Sequence, residues 1–311
     1  MKIAILQFVP LKGNIKGSIA KVEKLIQNLR PGDVDLLALP ELAFAGYNFP
    51  SLESIKPCLE HAQSGPTGIW AKQTAKRLQS IVTVGYAETT SKRVAINDNS
   101  LENIDRNMNF NSNIAFGSDG KMIAHYRKHF LYMIDESWCV EGSERFYAGN
   151  YPAPVNKRVA MGICMDINPY QFKAPWDAME FANHVLDSGA ELVILSMAWT
   201  NLDASAEEVS DSSINTQPDW QTIRYWMSRF HPVIQANKTV HIVFGNRCGV
   251  EHDVVFVGTS TIARVGCGKV EVWEIAGIGE ERLLVVDTNT KPKIIWNFQA
   301  DKFQTNDQDT S

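Results

Sequence analysis

This 311-residue chain has no lysine- or arginine-rich run and no basic stripe, and its formal net charge is -5. The electrostatic footprint of a nucleic-acid binder is therefore missing. No apolar stretch approaches the roughly 18–20 residues that span a bilayer, so no membrane association is expected. Met1 to Phe8 alternates like a strand and lacks the charged and apolar regions of a secretory signal. CxxC pairs are absent: Cys58, Cys139, Cys164, Cys248 and Cys267 are scattered and odd in number. In a chain this long, that pattern points to reduced thiols and a cytoplasmic location rather than a disulfide framework. Also missing are a GxSxG serine elbow, any internal repeat at solenoid periods and any linker that divides the chain. The expected organisation is one domain over residues 1–300, with a polar tail over 301–311.

With 44% hydrophobic and 21% charged positions, the chain can bury a large core. Met1 to Val9 reads as a buried strand. Ser18 then caps a helix with Ile19, Val22, Leu25, Ile26 and Leu29 at helical spacing. Leu36 to Leu39 is a continuous apolar run, as in a strand covered on both faces. Gly65-Pro66-Thr67 opens a second helix, Ile81 to Tyr86 is a strand, and the Asn-rich residues 89–109 read as a long loop or hairpin tip. Arg158 to Ile163 is a strand, Trp176 to Ser188 a helix stopped by Gly189, and Leu192 to Trp199 a buried strand. Residues 200–219 are polar and hold five acids with no Lys or Arg. A helix with Trp220, Ile223, Met227 and Phe230 on one face follows. Strands near 239–245, 255–264, 269–275 and 282–287 precede the tail. This order predicts an α/β layered domain with one mixed sheet system.

Three segments place a reactive side chain at the end of an apolar run. In Leu36-Leu37-Ala38-Leu39-Pro40-Glu41, desolvation at the mouth of a buried strand raises the carboxylate pKa toward the general acid/base range. An ordinary rim glutamate is the alternative. In Tyr126-Arg127-Lys128-His129-Phe130, two adjacent cations on a strand face opposite ways. An inward Lys128 needs a negative partner, either Glu41 or a reaction oxyanion; a solvated basic edge is the alternative. His125 and His129 cannot share a metal from a strand as helical histidines do, so no metal is expected. In Val159-Ala160-Met161-Gly162-Ile163-Cys164-Met165-Asp166, an apolar strand ends at a cysteine followed by a turn, as nucleophiles are presented on elbows. Such a thiol, with an ordinary pKa of about 8.5, needs a base or a cation to activate it. An inert core cysteine is the alternative, and it is the reading adopted for the other four. No histidine stands in the context a Cys–His protease requires.

Taken in order, the motifs resemble the nitrilase superfamily of carbon–nitrogen hydrolases over nearly the whole chain. They are Leu39-Pro40-Glu41 with Gly46-Tyr47, Asn111-Ser112 before a strand, Tyr126-Arg127-Lys128, Gly162-Ile163-Cys164-Met165-Asp166, and Asn246-Arg247 with Phe256-Val257-Gly258-Thr259-Ser260. The resemblance implies an α-β-β-α sandwich with Glu41, Lys128 and Cys164 as the catalytic triad. The run from Cys164 to Pro175, Met197-Ala198-Trp199-Thr200-Asn201, Phe130-Leu131-Tyr132 and Asn246-Arg247-Cys248-Gly249 narrow it. They are similar to the fungal branch that converts N-terminal Asn and Gln of proteins to Asp and Glu in the N-degron pathway.

The implied chemistry is a Cys164 thioester, with Glu41 moving protons, Lys128 and N–H groups near Met165 holding the oxyanion, and no cofactor. Asp135 and Glu136, with Glu141 behind them, are the candidates for a further carboxylate near the triad. A free substrate ammonium needs an anionic partner, for which Asp135, Glu136 and Asp166 qualify. The acidic loop at 200–219 is either a plain solvated loop or adds a weak attraction for cationic N-termini, and Trp199 either walls the pocket or belongs to the core. Two other readings stand beside this one: an amidase for a free small-molecule amide, and a binding protein that keeps the fold without the catalysis.

Overall fold

Period-two alternation decides the layering. In the computed structural model, which describes residues 1–94, 104–200 and 216–298, β1 (Lys2–Gln7) sends Ile3 and Ile5 into one apolar cluster and Ala4 and Leu6 into another. β2 (Leu36–Ala38) does the same with Leu36 and Ala38 on one side and Leu37 on the other. Strands apolar on both faces need cover on both.

Helices α1 (Ile15–Leu25) and α3 (Pro66–Leu78) supply the first cover; a single short turn, α2 (Leu52–Ile55), lies between them in sequence. Val22, Trp70, Ala71, Ala75 and Leu78 pack there on Ala4, Leu6, Leu37, Val82 and Val84. The opposite cluster runs on through a second sheet to α4 (Glu180–Asp187), α5 (Trp220–Arg229) and α6 (His231–Gln235), where Phe181, Val185, Trp226, Phe230 and Val233 close it. This is the α-β-β-α sandwich that the motifs implied.

The first sheet takes β3 (Ile81–Val94), β4 (Ile104–Phe116), β5 (Met122–Arg127) and β14 (Arg282–Asp287), in the order β14-β1-β2-β3-β4-β5. The second holds β6 (Tyr147–Tyr151), β7 (Lys157–Ile163), β8 (Leu192–Met197), β9 (Val240–Asn246), β12 (Thr261–Gly266), β13 (Lys269–Ile275) and β15 (Ile294–Asn297). Its order is β15-β13-β12-β9-β8-β7-β6. β1, β2 and β3 run parallel to one another, as do β7, β8 and β9, and antiparallel strands flank each trio.

Several boundaries differ from expectation. Two facing sheets replace the single mixed one, because the central strands are apolar on both sides. Asn14 caps the first helix, accepting from the Gly17 N–H at 2.9 Å, while Ser18 is buried inside it and accepts from the Leu11 N–H. Residues 89–94 and 104–109 are ladder rather than loop, with Thr89 opposite Asn109, since strand pairing uses the backbone whatever the side chains. Asn111 and Ser112 lie within β4 and not before a strand. The helix expected over 176–188 is broken at Met179, which is left-handed at φ 45. The strand expected over 255–264 splits at Gly258 and Thr259, φ 50 and 58; the part before the break, β11 (Val254–Val257), pairs with β10 (Cys248–Glu251). β15 is a further strand after 282–287, where none was expected. The loop tip at 95–103, most of the acidic loop (201–215) and the tail at 301–311 lie outside the described residues.

One glycine sets how closely the chain after β2 lies against β3. A Cβ on Gly85 would meet Glu41 Cα and the Pro40 carbonyl at 2.7 Å and the Leu42 nitrogen at 2.8 Å, all backbone. Gly85 also donates to the Pro40 carbonyl and accepts from the Ala43 N–H at 2.9 Å. Rigid backbone cannot yield as a side-chain tip does, so Gly85→Ala should lower stability by about 1–3 kcal/mol, read as a lower urea midpoint at unchanged m.

Candidate active site

Glu41, Lys128 and Cys164 stand at the carboxyl ends of β2, β5 and β7. The chain after β2 is held by the Leu39 N–H on the Thr83 carbonyl at 2.9 Å and by the Glu41 N–H on the Met197 carbonyl, at the end of β8 in the other sheet. Lys128 donates its N–H to the Asn111 carbonyl at 2.7 Å, and its own carbonyl accepts from Gly142 at 2.8 Å. Cys164 begins a 3-10 turn, Cys164–Ile167, in a left-handed conformation at φ 41. A non-glycine residue rarely adopts that conformation, and such strain is concentrated at functional sites. Gly162 makes room behind it: a Cβ there would meet Leu195 and the Phe181 ring at 2.8 Å.

The Lys128 ammonium is fully buried and lies 2.6 Å from both Glu41 Oε1 and Asp135 Oδ2. Asn111 Nδ2 bridges the same carboxylates, 2.7 Å from Glu41 Oε1 and 3.2 Å from Asp135 Oδ1. Burial raises the Glu41 pKa more than Lys128 lowers it, and Asp135 adds to the rise, bringing it to about 6. Burial alone would drive the Lys128 pKa down, but the two carboxylates overcome that and hold it well above its ordinary value. Glu41 Oε2 has no hydrogen-bond partner among the described groups. Cys164 feels the charges of both Glu41 and Lys128; burial, reinforced by Glu41, pushes its pKa well above the usual thiol range. Burial thus favours the protonated sulfur, and a thiol requires a base to become a nucleophile. The arrangement offers a free carboxylate oxygen, a thiol and a fixed ammonium.

Cys164 opens into a cleft of about 250 Å³ lined by Tyr47, Tyr132, Met165, Asn168, Phe172, Ala198, Trp199, Thr200 and Tyr225. The Trp199 N–H is fixed on Asn246 Oδ1 at 2.8 Å, and its ring lies 5.4 Å from that of Tyr225. Asn168 Oδ1 accepts from the Tyr225 hydroxyl at 2.5 Å.

Of the expected substrate contacts, Trp199 lies on the cleft wall and the three carboxylates do not. Asp135 is buried behind Lys128, where it also takes the Tyr132 N–H at 3.0 Å. Asp166 is buried and filled by four donors: the Ile163 N–H, the Tyr126 hydroxyl and the N–H groups of His129 and Phe130. The turn after Cys164 aims Asp166 inward, so its adjacency in sequence does not carry over to the cleft. Glu136 is exposed and outside the lining, and Glu141 accepts from the Tyr170 hydroxyl at 3.0 Å on the surface. Sequence reasoning gave no role to Asn111, Asn168 or Tyr225. Asn111 stood in a quoted motif, but nothing along the chain signals its partners 24 and 70 positions away. Among the described residues no group of three His, Cys, Asp or Glu is placed to hold a metal ion.

Residues 2–171 match the carbon-nitrogen hydrolase family. The chain is 30% identical over 300 residues to the protein N-terminal amidase of Schizosaccharomyces pombe, covering 92% of this chain and 98% of that one. It is 27% identical over 220 residues to the protein N-terminal amidase of Saccharomyces cerevisiae, covering 65% of this chain and 45% of the relative. A crystal structure of an N-terminal amidase superposes with a TM-score of 0.78 at 20% identity, covering 92% and 97% of the two chains. The chain belongs to the carbon-nitrogen hydrolase family.

Proposed function

We propose that this chain removes ammonia from N-terminal Asn and Gln of peptides and proteins, leaving Asp and Glu, through a Cys164 thioester. The observation that carries the reading is the buried Glu41–Lys128–Asp135 cluster, with Glu41 Oε2 unpartnered, whose charges act on Cys164 where it opens on the cleft. Support also comes from the S. pombe relative, matched almost end to end.

Glu41 Oε2 takes the Cys164 proton as the sulfur bonds to the carboxamide carbon. The developing oxyanion falls to the remaining Lys128 proton and to N–H groups near Met165; one such donor is worth about 3–4 kcal/mol. Glu41 then protonates the departing nitrogen as the C–N bond breaks. It next deprotonates the water that attacks the thioester, and the sulfur leaves with that proton. Asp135 holds Lys128 in line and keeps its charge.

No carboxylate stands among the described residues that line the cleft, so the substrate ammonium meets the Asn168 side-chain oxygen, the Tyr132 and Tyr225 hydroxyls and the ring faces of Trp199 and Tyr225. All five cysteines are free, which fits a reducing compartment, and we place the enzyme in the cytoplasm, acting in an N-degron pathway. Among the described residues no helix is long and apolar enough to cross a membrane.

Mass spectrometry of peptides beginning with Asn or Gln should show a gain of about one dalton on free N-termini and none on N-acetylated copies. Turnover of free glutamine with the peptides left intact would instead favour a small-molecule amidase. Cys164→Ala should abolish the shift while the far-ultraviolet circular dichroism stays that of the wild type. Because Glu41 must be ionised to accept the thiol proton, kcat/KM should rise with pH through an acid limb near 6. In Asp135→Asn the negative charge that raises the Glu41 pKa is gone, so a pH–rate series should place that limb at lower pH.

A further inference from the structure

Tyr47 has no part in the mechanism above, yet its ring lines the cleft beside Cys164. Its side chain is buried, and the hydroxyl has no hydrogen-bond partner among the described groups. A buried hydroxyl without a partner is destabilising, and such exceptions call for an explanation. The phenol is also held rigid. The Tyr47 N–H donates to both Glu251 oxygens, at 3.3 and 3.1 Å, and the Asn48 N–H donates to Glu251 Oε2 at 2.8 Å. Arg247 pairs with that carboxylate, and its guanidinium lies 3.9 Å from the centroid of the Phe256 ring, which meets Tyr47 edge-on. Gly46, at φ 84, admits Glu251 so closely that a Cβ would meet its Oε1 at 2.8 Å. The whole loop is therefore built around Tyr47.

The cleft needs such a donor. Two of the three ammonium protons of Lys128 point to Glu41 and Asp135, which leaves one for the substrate. Lys128 Nζ lies 5.7 Å from the centroid of the Tyr47 ring, so ammonium and phenol belong to one wall. The geometry points to Tyr47 as a substrate-contacting catalytic residue, its hydroxyl donating to the carboxamide oxygen of the bound Asn or Gln and strengthening that bond as the oxyanion forms. Burial and the negative charges of Asp135 and Glu41 push its pKa well above the usual phenol range, so it remains a donor wherever Glu41 is ionised. No proton is transferred from it. The orphaned hydroxyl is satisfied only when substrate is present, which is how a site spends stability on preorganisation.

This inference rests on the amidase reading, and Tyr47→Phe in the full chain tests it, because the variant keeps the ring and its edge-on contact. The expected result is a fall in kcat of about 100-fold on both Asn and Gln peptides with KM within about threefold of wild type. The melting temperature should not fall, and the rate of Cys164 alkylation by iodoacetamide should be unchanged, since neither the thiol nor Glu41 is touched. A kcat within twofold of wild type overturns the proposal, as does a rise in KM alone, which would mean a ground-state contact. A parallel loss of thiol reactivity also overturns it, because Tyr47 would then act through Cys164. A wild type that leaves both peptides unchanged sinks the amidase reading and Tyr47 with it; a wild type that turns them over beside an unimpaired Tyr47→Phe sinks Tyr47 alone.

Discussion

A lysine ammonium with no exposed surface persists in this protein because two carboxylates meet it at 2.6 Å, one from the chain after β2 and one from the turn Asp135–Ser137. Removing a charge from water costs several kcal/mol per ion, and only close, hydrogen-bonded partners offset it. Three ions share the burial, two of them acids, and the odd negative charge has to be relieved somewhere. The relief falls on Glu41, whose second oxygen is unpartnered and whose pKa rises to about 6. Burial is the larger cause of that rise, and the extra negative charge of Asp135 adds to it. Cys164 inherits the consequence: a nearby anion and a dry setting keep its sulfur protonated until something receives the proton.

Much of this could be read along the chain. The two-faced strands announce themselves in Ile3-Ala4-Ile5-Leu6 and Leu36-Leu37-Ala38-Leu39, since alternation by two needs no distant information. Glu41, Lys128 and Cys164 each end an apolar run, yet each also has an ordinary local explanation, and only the order of the motifs along the chain draws them together. Tertiary direction was not legible. Asp166 sits two residues from Cys164, yet the turn between them sends it into the scaffold, where four donors fill it. Asp135 and Glu136 are neighbours with equal claims on paper, and only the fold decides that one meets Lys128 and the other meets solvent. Met179 shows the same limit in the backbone: nothing in Trp176 to Ser188 advertises a left-handed break.

The two halves of the site differ in character. Around Lys128 the contacts are ionic, short and closed to solvent, so they tolerate little displacement. Around the cleft mouth they are aromatic and spaced: Trp199 against Tyr225, Tyr132 against Phe172 at 6.4 Å, Trp176 against Tyr225 at 5.6 Å. Phe172 and Gln171 are both left-handed, at φ 54 and 53, and Phe172 is largely exposed there. A rigid polar floor beneath apolar walls separates the demands of chemistry from those of accommodation, because rings grip by shape and area.

The pairing of β1 with β14 reaches beyond the finished fold. β1 lies inside its sheet, between β2 and β14, and the register runs from Lys2 opposite Asp287 to Gln7 opposite Arg282. A nascent chain leaving the ribosome at about 5–20 residues per second would carry β1 with one bare edge for some tens of seconds before its neighbour emerged. Throughout that interval a short ribbon, apolar from Ile3 to Leu6, is open to any other strand in the cell. Its protection in that interval must come from elsewhere, because β14, which covers that edge in the completed protein, is translated long after it.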